Sequence, residues 1–441
     1  MKKVFIRTFG CQMNIYDSER MLAMLQPDYT PTQEWEEAQL ILVNTCSVRA
    51  KAEQKVYSLV GRLKHLKRQR PEVIIGITGC VAQQEGENIL KRLPHVDLVL
   101  GTQAIYRLPQ HLKQIEAGHG PIVDIALGDD FTQPLVFPTT TEDLPVKAFV
   151  TIMQGCDNFC TYCIVPHTRG REISRPPEDI LKEVEYLVSK GVREIILLGQ
   201  NVNSYGRKEK RFPSFAELLR QVACIPGVWR VRFTTSHPKD LTEELMQTLA
   251  EIPEVCEYLH LPVQSGSNRI LRLMNRGYTR EDYLSKVKRL RQLCPDITLS
   301  TDIIVGFPGE TEEDFQATLD LLEDVRYAEI FSFKYSDRPL ARAKNFPSKV
   351  AEDVKTCRLA QVHKLQSRIT REINESFIGQ TVEVLVEGKS PKDKTLWTGR
   401  TRSHHVVNFI GPEGLKGHLV YVLIERAGQH SLRGQFKDLI R

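Results

Sequence analysis

Short apolar runs, each closed by glycine, threonine or asparagine and followed by a stretch of helical length, recur along most of this chain. L-I-L-V-N (residues 40–44) and V-I-I-G-I (residues 73–77) lack an apolar/polar alternation, so both of their faces must be covered. With further strands over 3–9 and 96–100 and helices over 15–26, 49–70 and 104–117, residues 1–120 predict a parallel sheet covered by helices. From residue 146 the alternation resumes, with strands over 147–154, 194–199, 230–235, 257–262, 297–306 and 328–335. Helices over 177–190, 215–223, 241–250, 267–275 with 280–293, and 312–325 fall between them. Six β/α units predict a partial barrel over 146–377, closed by a long helix over 351–374. Residues 121–145, rich in Gly, Pro and Thr, predict a linker. Residues 378–441 predict a small all-β barrel, with strands over 382–387, 406–410 and 418–424. The fold class is therefore α/β with an all-β tail.

The net charge of +5 is unevenly placed, since residues 378–441 alone carry +4 with four histidines, a pattern that favours a polyanionic partner. No apolar run approaches the 18 or more residues of a membrane span. The opening M-K-K-V-F-I-R breaks its apolar stretch at Arg7 and predicts no signal peptide. The expected compartment is the cytoplasm, where thiols stay reduced and clustered cysteines bind metal or do catalysis. Ten cysteines then require a use.

Two sets of three stand out. Cys156, Cys160 and Cys163 follow an apolar strand with the spacing C-x3-C-x2-C. Soft thiolates suit zinc, Cu(I) or iron–sulfur. His167 offers a fourth ligand for a structural zinc, whereas three thiolates alone suit a 4Fe–4S cluster with one open iron. Cys11, Cys46 and Cys80 each sit just past the C-terminal end of a strand, where open α/β sheets bind their ligands. Three parallel strands would bring them to one edge as a second metal-binding set; the alternative is three small buried hydrophobes. The 49–70 helix carries Arg49, Lys51, Lys55, Arg62, Lys64, Lys67, Arg68 and Arg70 against Glu53, and reads equally as a solvated face or a phosphate contact.

The C-x3-C-x2-C spacing with Tyr162 before the last cysteine resembles the radical S-adenosylmethionine (SAM) superfamily. There the open iron chelates the amino and carboxylate groups of SAM, and the reduced cluster cleaves it to a 5′-deoxyadenosyl radical. Along nearly its whole length the chain resembles the radical-SAM methylthiotransferases. T-F-G-C-Q-M-N-I-Y-D-S-E, C-T-Y-C-I-V-P-H-T-R-G-R-E, L-G-Q-N-V-N-S-Y-G and the run beginning H-L-P-V-Q-S-G-S at His260 carry that resemblance. It implies a methylthiotransferase domain (1–120), a linker (121–145), a radical-SAM partial barrel (146–377) and an RNA-binding TRAM domain, OB-like (378–441). Two 4Fe–4S clusters follow, one on Cys156, Cys160 and Cys163 and an auxiliary one, for sulfur, on Cys11, Cys46 and Cys80. Cys224, Cys256, Cys294 and Cys357 match no motif and read as structural.

Strand-end positions make Gln200, Asn201, Ser236, Gln264, Ser265 and Gly306 candidates to line the SAM pocket. Trp397, Arg400 and Phe409 are candidate RNA contacts in the tail, and Arg169, Arg171 and Arg175 read as substrate contacts or as surface ion-pair partners. Within the family the motifs look most like the members that methylthiolate C-2 of an isopentenylated adenosine beside the tRNA anticodon. The implied partners are the tRNA anticodon stem-loop and an electron donor such as flavodoxin or ferredoxin, with a monomeric protein and no membrane. His167 departs from the family's Tyr. The alternatives are a sister enzyme acting on threonylcarbamoyladenosine or on a ribosomal-protein aspartate, and a non-catalytic zinc-containing RNA-binding protein.

Overall fold

Strands β1 (Lys2–Phe9), β2 (Tyr29–Pro31), β3 (Leu40–Thr45), β4 (Ile74–Gly79), β5 (Leu98–Leu100) and β6 (Ile122–Asp124) form one all-parallel sheet in the order β2-β1-β3-β4-β5-β6. The structure is a computed structural model; it describes residues 1–47, 50–128, 134–137 and 145–441, without the side chains of residues 50–53. Along β3, Leu40 and Leu42 pack with Met21, Leu25 and Leu108 on one side of the sheet. Ile41 and Val43 pack with Val56, Val60 and Leu63 on the other. Both faces are thus covered by helices, as the unbroken apolar runs require. β6 begins inside the stretch read as linker; three half-buried residues carry too little pattern to announce a strand.

From residue 147 the chain supplies β7 (Lys147–Thr151), the two-residue strands β8 (Met153–Gln154) and β9 (Ile173–Ser174), then β10 (Glu194–Leu198), β11 (Arg230–Phe233), β12 (Tyr258–His260), β13 (Thr298–Val305) and β14 (Glu329–Lys334). Apart from β8 and β9 these six strands run parallel, as β11-β10-β7 and β12-β13-β14, joined by a parallel bridge between Val231 and Val255. That is the expected open six-unit barrel. One core, from Val150 and Ile195 through Leu259 and Ile303 to Val362, fills the space between its strands and helices.

The helix Glu352–Glu375 leads into a closed barrel of β15 (Thr381–Lys389), β16 (Trp397–Thr401), β17 (Val406–Ile410), β18 (Leu419–Ala427) and β19 (Leu432–Leu439), ordered β15-β16-β17-β19-β18. β16 and β19 are absent from the sequence expectation because glycine and charge break their alternation. Gly399 in β16 is there for closeness, since a Cβ would strike the carbonyl oxygen of Leu385 on β15.

Three elements hold the parts together. Glu183, buried in the helix Pro177–Ser189, pairs with both Arg20 and Arg175. Arg230 donates to the Arg400 carbonyl and to Glu383 Oε1, both at 2.7 Å. Arg232 donates to the carbonyls of Thr401 and Arg402, also at 2.7 Å. Among the described residues no helix is long and apolar enough to cross a membrane.

Candidate active site

In the N-terminal sheet, Phe9, Thr45 and Gly79 lie in one row across β1, β3 and β4. Cys11, Cys46 and Cys80 follow within one or two residues, so the parallel register delivers all three to the same sheet edge. The contact is close: a Cβ on Gly10 would lie 2.7 Å from the Cys46 Cβ. Behind the thiols a buried amide pair fixes the helix Gln12–Leu25. Asn14 Nδ2 donates to Asn44 Oδ1 (3.1 Å) and the Thr45 carbonyl (3.2 Å), and Asn44 Nδ2 donates to the Asn14 carbonyl (2.8 Å) and Ser18 Oγ (2.9 Å). The hydrogen bond with Cys46 brings the Cys11 thiol down to about 6 against the opposing effect of burial, with help from the charge of Arg169. Burial pushes the Cys80 thiol up, and Arg169 opposes it. Arg169 is itself buried and pairs with Asp17 Oδ2 at 2.7 Å.

The second set lies on one loop, residues 155–172, whose neck is closed by antiparallel pairing of β8 with β9. Position 155 needs glycine twice over, since its backbone is left-handed (φ 76°) and a Cβ there would collide with the Arg171 carbonyl. Thr161 pins the loop, its N–H donating to the Met274 carbonyl (3.0 Å) and its hydroxyl to the Leu273 carbonyl (2.8 Å). Arg276 Nη1 donates to Cys160 Sγ and to the Tyr162 hydroxyl, both at 3.3 Å. Burial pushes Cys156 up to about 11 and Cys163 up to about 12, and neighbouring thiols add to both. Such thiols ionise when a metal centre takes their protons' place.

Each set offers three soft thiols, the donor type that iron–sulfur clusters take. His167, the fourth ligand of the zinc reading, is exposed. Around the first set the hydroxyls of Thr45, Ser47 and Thr78 are buried without a partner among the described residues. Beyond β10 and β11 the same holds for Gln200 Oε1, Asn201 Oδ1, Ser236 Oγ and His237 Nε2. The loops bearing them are tied by Asn203 Nδ2 donating to the His237 carbonyl (3.0 Å) and by the His237 N–H donating to Asn203 Oδ1 (2.9 Å). Buried polar atoms without partners mark a place for a polar ligand.

The candidates therefore divide. Gln200, Asn201 and Ser236 stand on the two loops after β10 and β11 that the Asn203–His237 hydrogen bonds tie together, with His237, which the sequence reading missed. Gln264 holds a left-handed backbone (φ 77°) between β12 and β13, the kind of strain that persists at functional positions. Ser265 is fully buried and its hydroxyl accepts from the Ser267 N–H (3.2 Å), closing a turn. At Gly306 the N–H donates to Glu310 Oε2 (2.6 Å) and Lys355 fills the space beside the α-carbon.

In the C-terminal barrel Trp397 and Phe409 are corrected as base-stacking residues. They are 5% and 0% exposed and fill the barrel core with Val384, Val407 and Val422. Arg400 pairs with Glu387 (3.1 Å) and its carbonyl receives Arg230, so it faces the central barrel. The exposed cations there are Lys392, Lys394, Lys416, Arg426, Arg433, Lys437 and Arg441. Arg169 and Arg175 are buried ion-pair partners, whereas Arg171 pairs with Asp157 at the surface (2.7 Å). Of the basic helix, now Ala50–Gln69, Lys55, Arg62, Lys64 and Arg68 are exposed, and Lys67 pairs with Asp97 (2.8 Å). Arg49 and the side chains of Lys51 and Glu53 lie outside the described residues. Cys256 and Cys294 are buried as structural cysteines should be, but Cys224 and Cys357 are exposed.

Three family models match the chain: the radical SAM superfamily over residues 150–322, the uncharacterized protein family UPF0004 over 3–101, and the TRAM domain over 375–437. The chain is 51% identical over 435 residues to the tRNA-2-methylthio-N(6)-dimethylallyladenosine synthase of Geotalea uraniireducens, covering 98% of each. It is 52% identical to the protein of that name from Syntrophobacter fumaroxidans, covering 98% of this chain and 95% of that one. The chain belongs to the tRNA-2-methylthio-N(6)-dimethylallyladenosine synthase family. The family's cofactors are two 4Fe–4S clusters and SAM. A solved radical SAM methyltransferase, TsrM from Kitasatospora setae, shares the fold at 13% identity, with a TM-score of 0.59 over 90% of this chain and 78% of that one.

Proposed function

We propose that this chain transfers a methylthio group to C-2 of the N6-dimethylallyl adenosine beside the anticodon of tRNA. One observation carries the reading: the loop bearing Cys156, Cys160 and Cys163 runs on to the sheet domain that bears the other three thiols, its Thr168 carbonyl accepting from the Thr102 hydroxyl (2.7 Å) and its Arg169 pairing with Asp17 (2.7 Å) six residues after Cys11. The two thiol sets are thereby tied to each other. Cys156, Cys160 and Cys163 hold the cluster that binds SAM, and Cys11, Cys46 and Cys80 hold the auxiliary cluster. An unactivated aromatic C–H offers no useful acid, so these cofactors, when bound, supply the radical chemistry and the sulfur that the reaction needs.

The residues of the chain position and enclose. Gln200, Asn201, Ser236 and His237 offer buried, unpartnered polar atoms to SAM. Arg276 holds Cys160 in place, and Arg169 stabilises the thiolate forms of Cys11 and Cys80. The target base must be splayed from its loop to enter the site. Residues 1–120 with β6 form the auxiliary domain, the stretch from there to 145 the connection, 146–377 the catalytic barrel and 378–441 the RNA-docking domain, with its exposed cations on tRNA phosphates. The protein acts as a cytoplasmic monomer supplied with electrons by a flavodoxin or ferredoxin. Anaerobic reconstitution should give a brown protein that converts tRNA carrying the dimethylallyl base to its 2-methylthio form, read by nucleoside mass spectrometry. A colourless, zinc-loaded protein without product would end the proposal.

A further inference from the structure

Strands β12, β13 and β14 form one wall of the central barrel, and its two faces differ. On one, Leu299, Thr301, Ile303 and Val305 are buried, and Ile330 packs against the same core. Lys334, also on that face, reaches Thr356 of the helix Glu352–Glu375. Residues in register across a parallel pair share a face, so the other face is ordered in rows. His260, Ser300 and Glu329 form the first row, Asp302 and Phe331 the second, Ile304 and Phe333 the third. Ser300 Oγ lies 2.9 Å from His260 Nδ1 and 2.7 Å from the Tyr258 hydroxyl, and His260 Nε2 lies 3.5 Å from Asp302 Oδ1. The Phe331 ring stands edge-on to the His260 imidazole at 5.8 Å.

Polarity thus falls along this face from the first row to the third. The third row lies near the cysteine loop, because Ile304 and Tyr162 pack against the same buried group of Ile270, Met274 and Phe307. Yet Phe331 and Phe333 stay 39% and 45% exposed. Two uncovered rings side by side beside a reactive loop are an unfilled apolar surface, and aromatic rings gain most from being covered.

We infer that Phe331 and Phe333 receive the five-carbon N6 chain of the substrate adenosine, and that Asp302 and Glu329 on the same face reject a base carrying a carboxylate. This rests on the proposed function. A dimethylallyl group has no hydrogen-bonding atoms and fits against rings. A threonylcarbamoyl group would bring an anion beside two carboxylates; of the positive groups facing Glu329, which are Arg400, His260 and His430, Arg400 is already paired to Glu387 and His260 lies against Asp302. Attraction of one ligand and repulsion of its rival together set specificity.

The test uses the reconstituted holoenzyme and three anticodon stem-loop RNAs differing at one base: adenosine, N6-dimethylallyladenosine and N6-threonylcarbamoyladenosine. The parent protein should bind the dimethylallyl RNA at least roughly tenfold more tightly than the adenosine RNA, since single methylenes already give such factors. Phe331→Ala with Phe333→Ala should abolish that preference by weakening the dimethylallyl RNA alone, and Phe331→Leu with Phe333→Leu should keep most of it. Asp302→Asn with Glu329→Gln should tighten binding of the threonylcarbamoyl RNA; no gain would overturn the rejection half of the inference. A preference that survives the alanine pair, or an equal loss for all three RNAs, would overturn the other half. Methylthiolation by the parent is measured alongside. Product with an unmoved preference in the alanine pair removes this inference and leaves the function standing, whereas no product from the parent removes both.

Discussion

Cys156, Cys160 and Cys163 lie within eight residues of one another on a loop closed at its neck by β8 and β9, whereas Cys11, Cys46 and Cys80 come from three separate strand ends. The loop set is pinned by local contacts from Thr161 and Arg276. The assembled set exists only because β1, β3 and β4 are neighbours in one register, and a slip of any strand would carry its thiol away. One site is therefore a property of a segment and the other a property of a fold. Mutations distant in sequence should damage the second far more than the first.

The largest effects come from removing each set. Cys156→Ala with Cys160→Ala and Cys163→Ala should leave about half the iron, no 5′-deoxyadenosine and no methylthiolated tRNA, because thiolates hold such clusters. Cys11→Ala with Cys46→Ala and Cys80→Ala should also leave about half the iron, with reductive SAM cleavage retained and product lost. Full iron and full product in that second variant would reduce its cysteines to core residues.

Next comes the bridge between the sets. Arg169→Gln leaves Asp17 buried without its cation, and breaking such a pair costs about 3–5 kcal/mol. The urea midpoint should fall, and iron should leave the assembled set while the loop set keeps its own. A smaller loss follows from Asn44→Leu, which strands the Asn14 amide and costs about 1–3 kcal/mol. Iron analysis in the background lacking the loop cysteines isolates the effect. The smallest is His167→Ala, which should change stability by less than about 0.5 kcal/mol and leave iron content as it was. Loss of metal in that variant would revive an imidazole ligand.

What was legible in the sequence follows the same division. The C-x3-C-x2-C loop and the strand-end cysteines announce themselves, because spacing and apolar runs are local signals. Arg276 does not, since it reaches Cys160 from 116 residues away. His237 was hidden for a similar reason: its value lies in a ring nitrogen left unpartnered by packing. Trp397 and Phe409 misled because aromatics in a basic tail suggest stacking on bases. A closed five-strand barrel has a narrow interior that large rings fill. Ser265 and Gly306 stand at the right strand ends, but their hydrogen-bonding groups are taken up by their own turns.

Glu183 has a consequence for how the tRNA must behave. Held by Arg20 from one side and Arg175 from the other, with Tyr16 a further 3.3 Å neighbour, it acts as a rivet between the sheet domain and the barrel. Prising the domains apart would expose three ionic groups whose partners are each other, at a cost no loop motion recovers. The two workstations are thus bolted to one bench. On the proposed function, the nucleotide is then the part that travels.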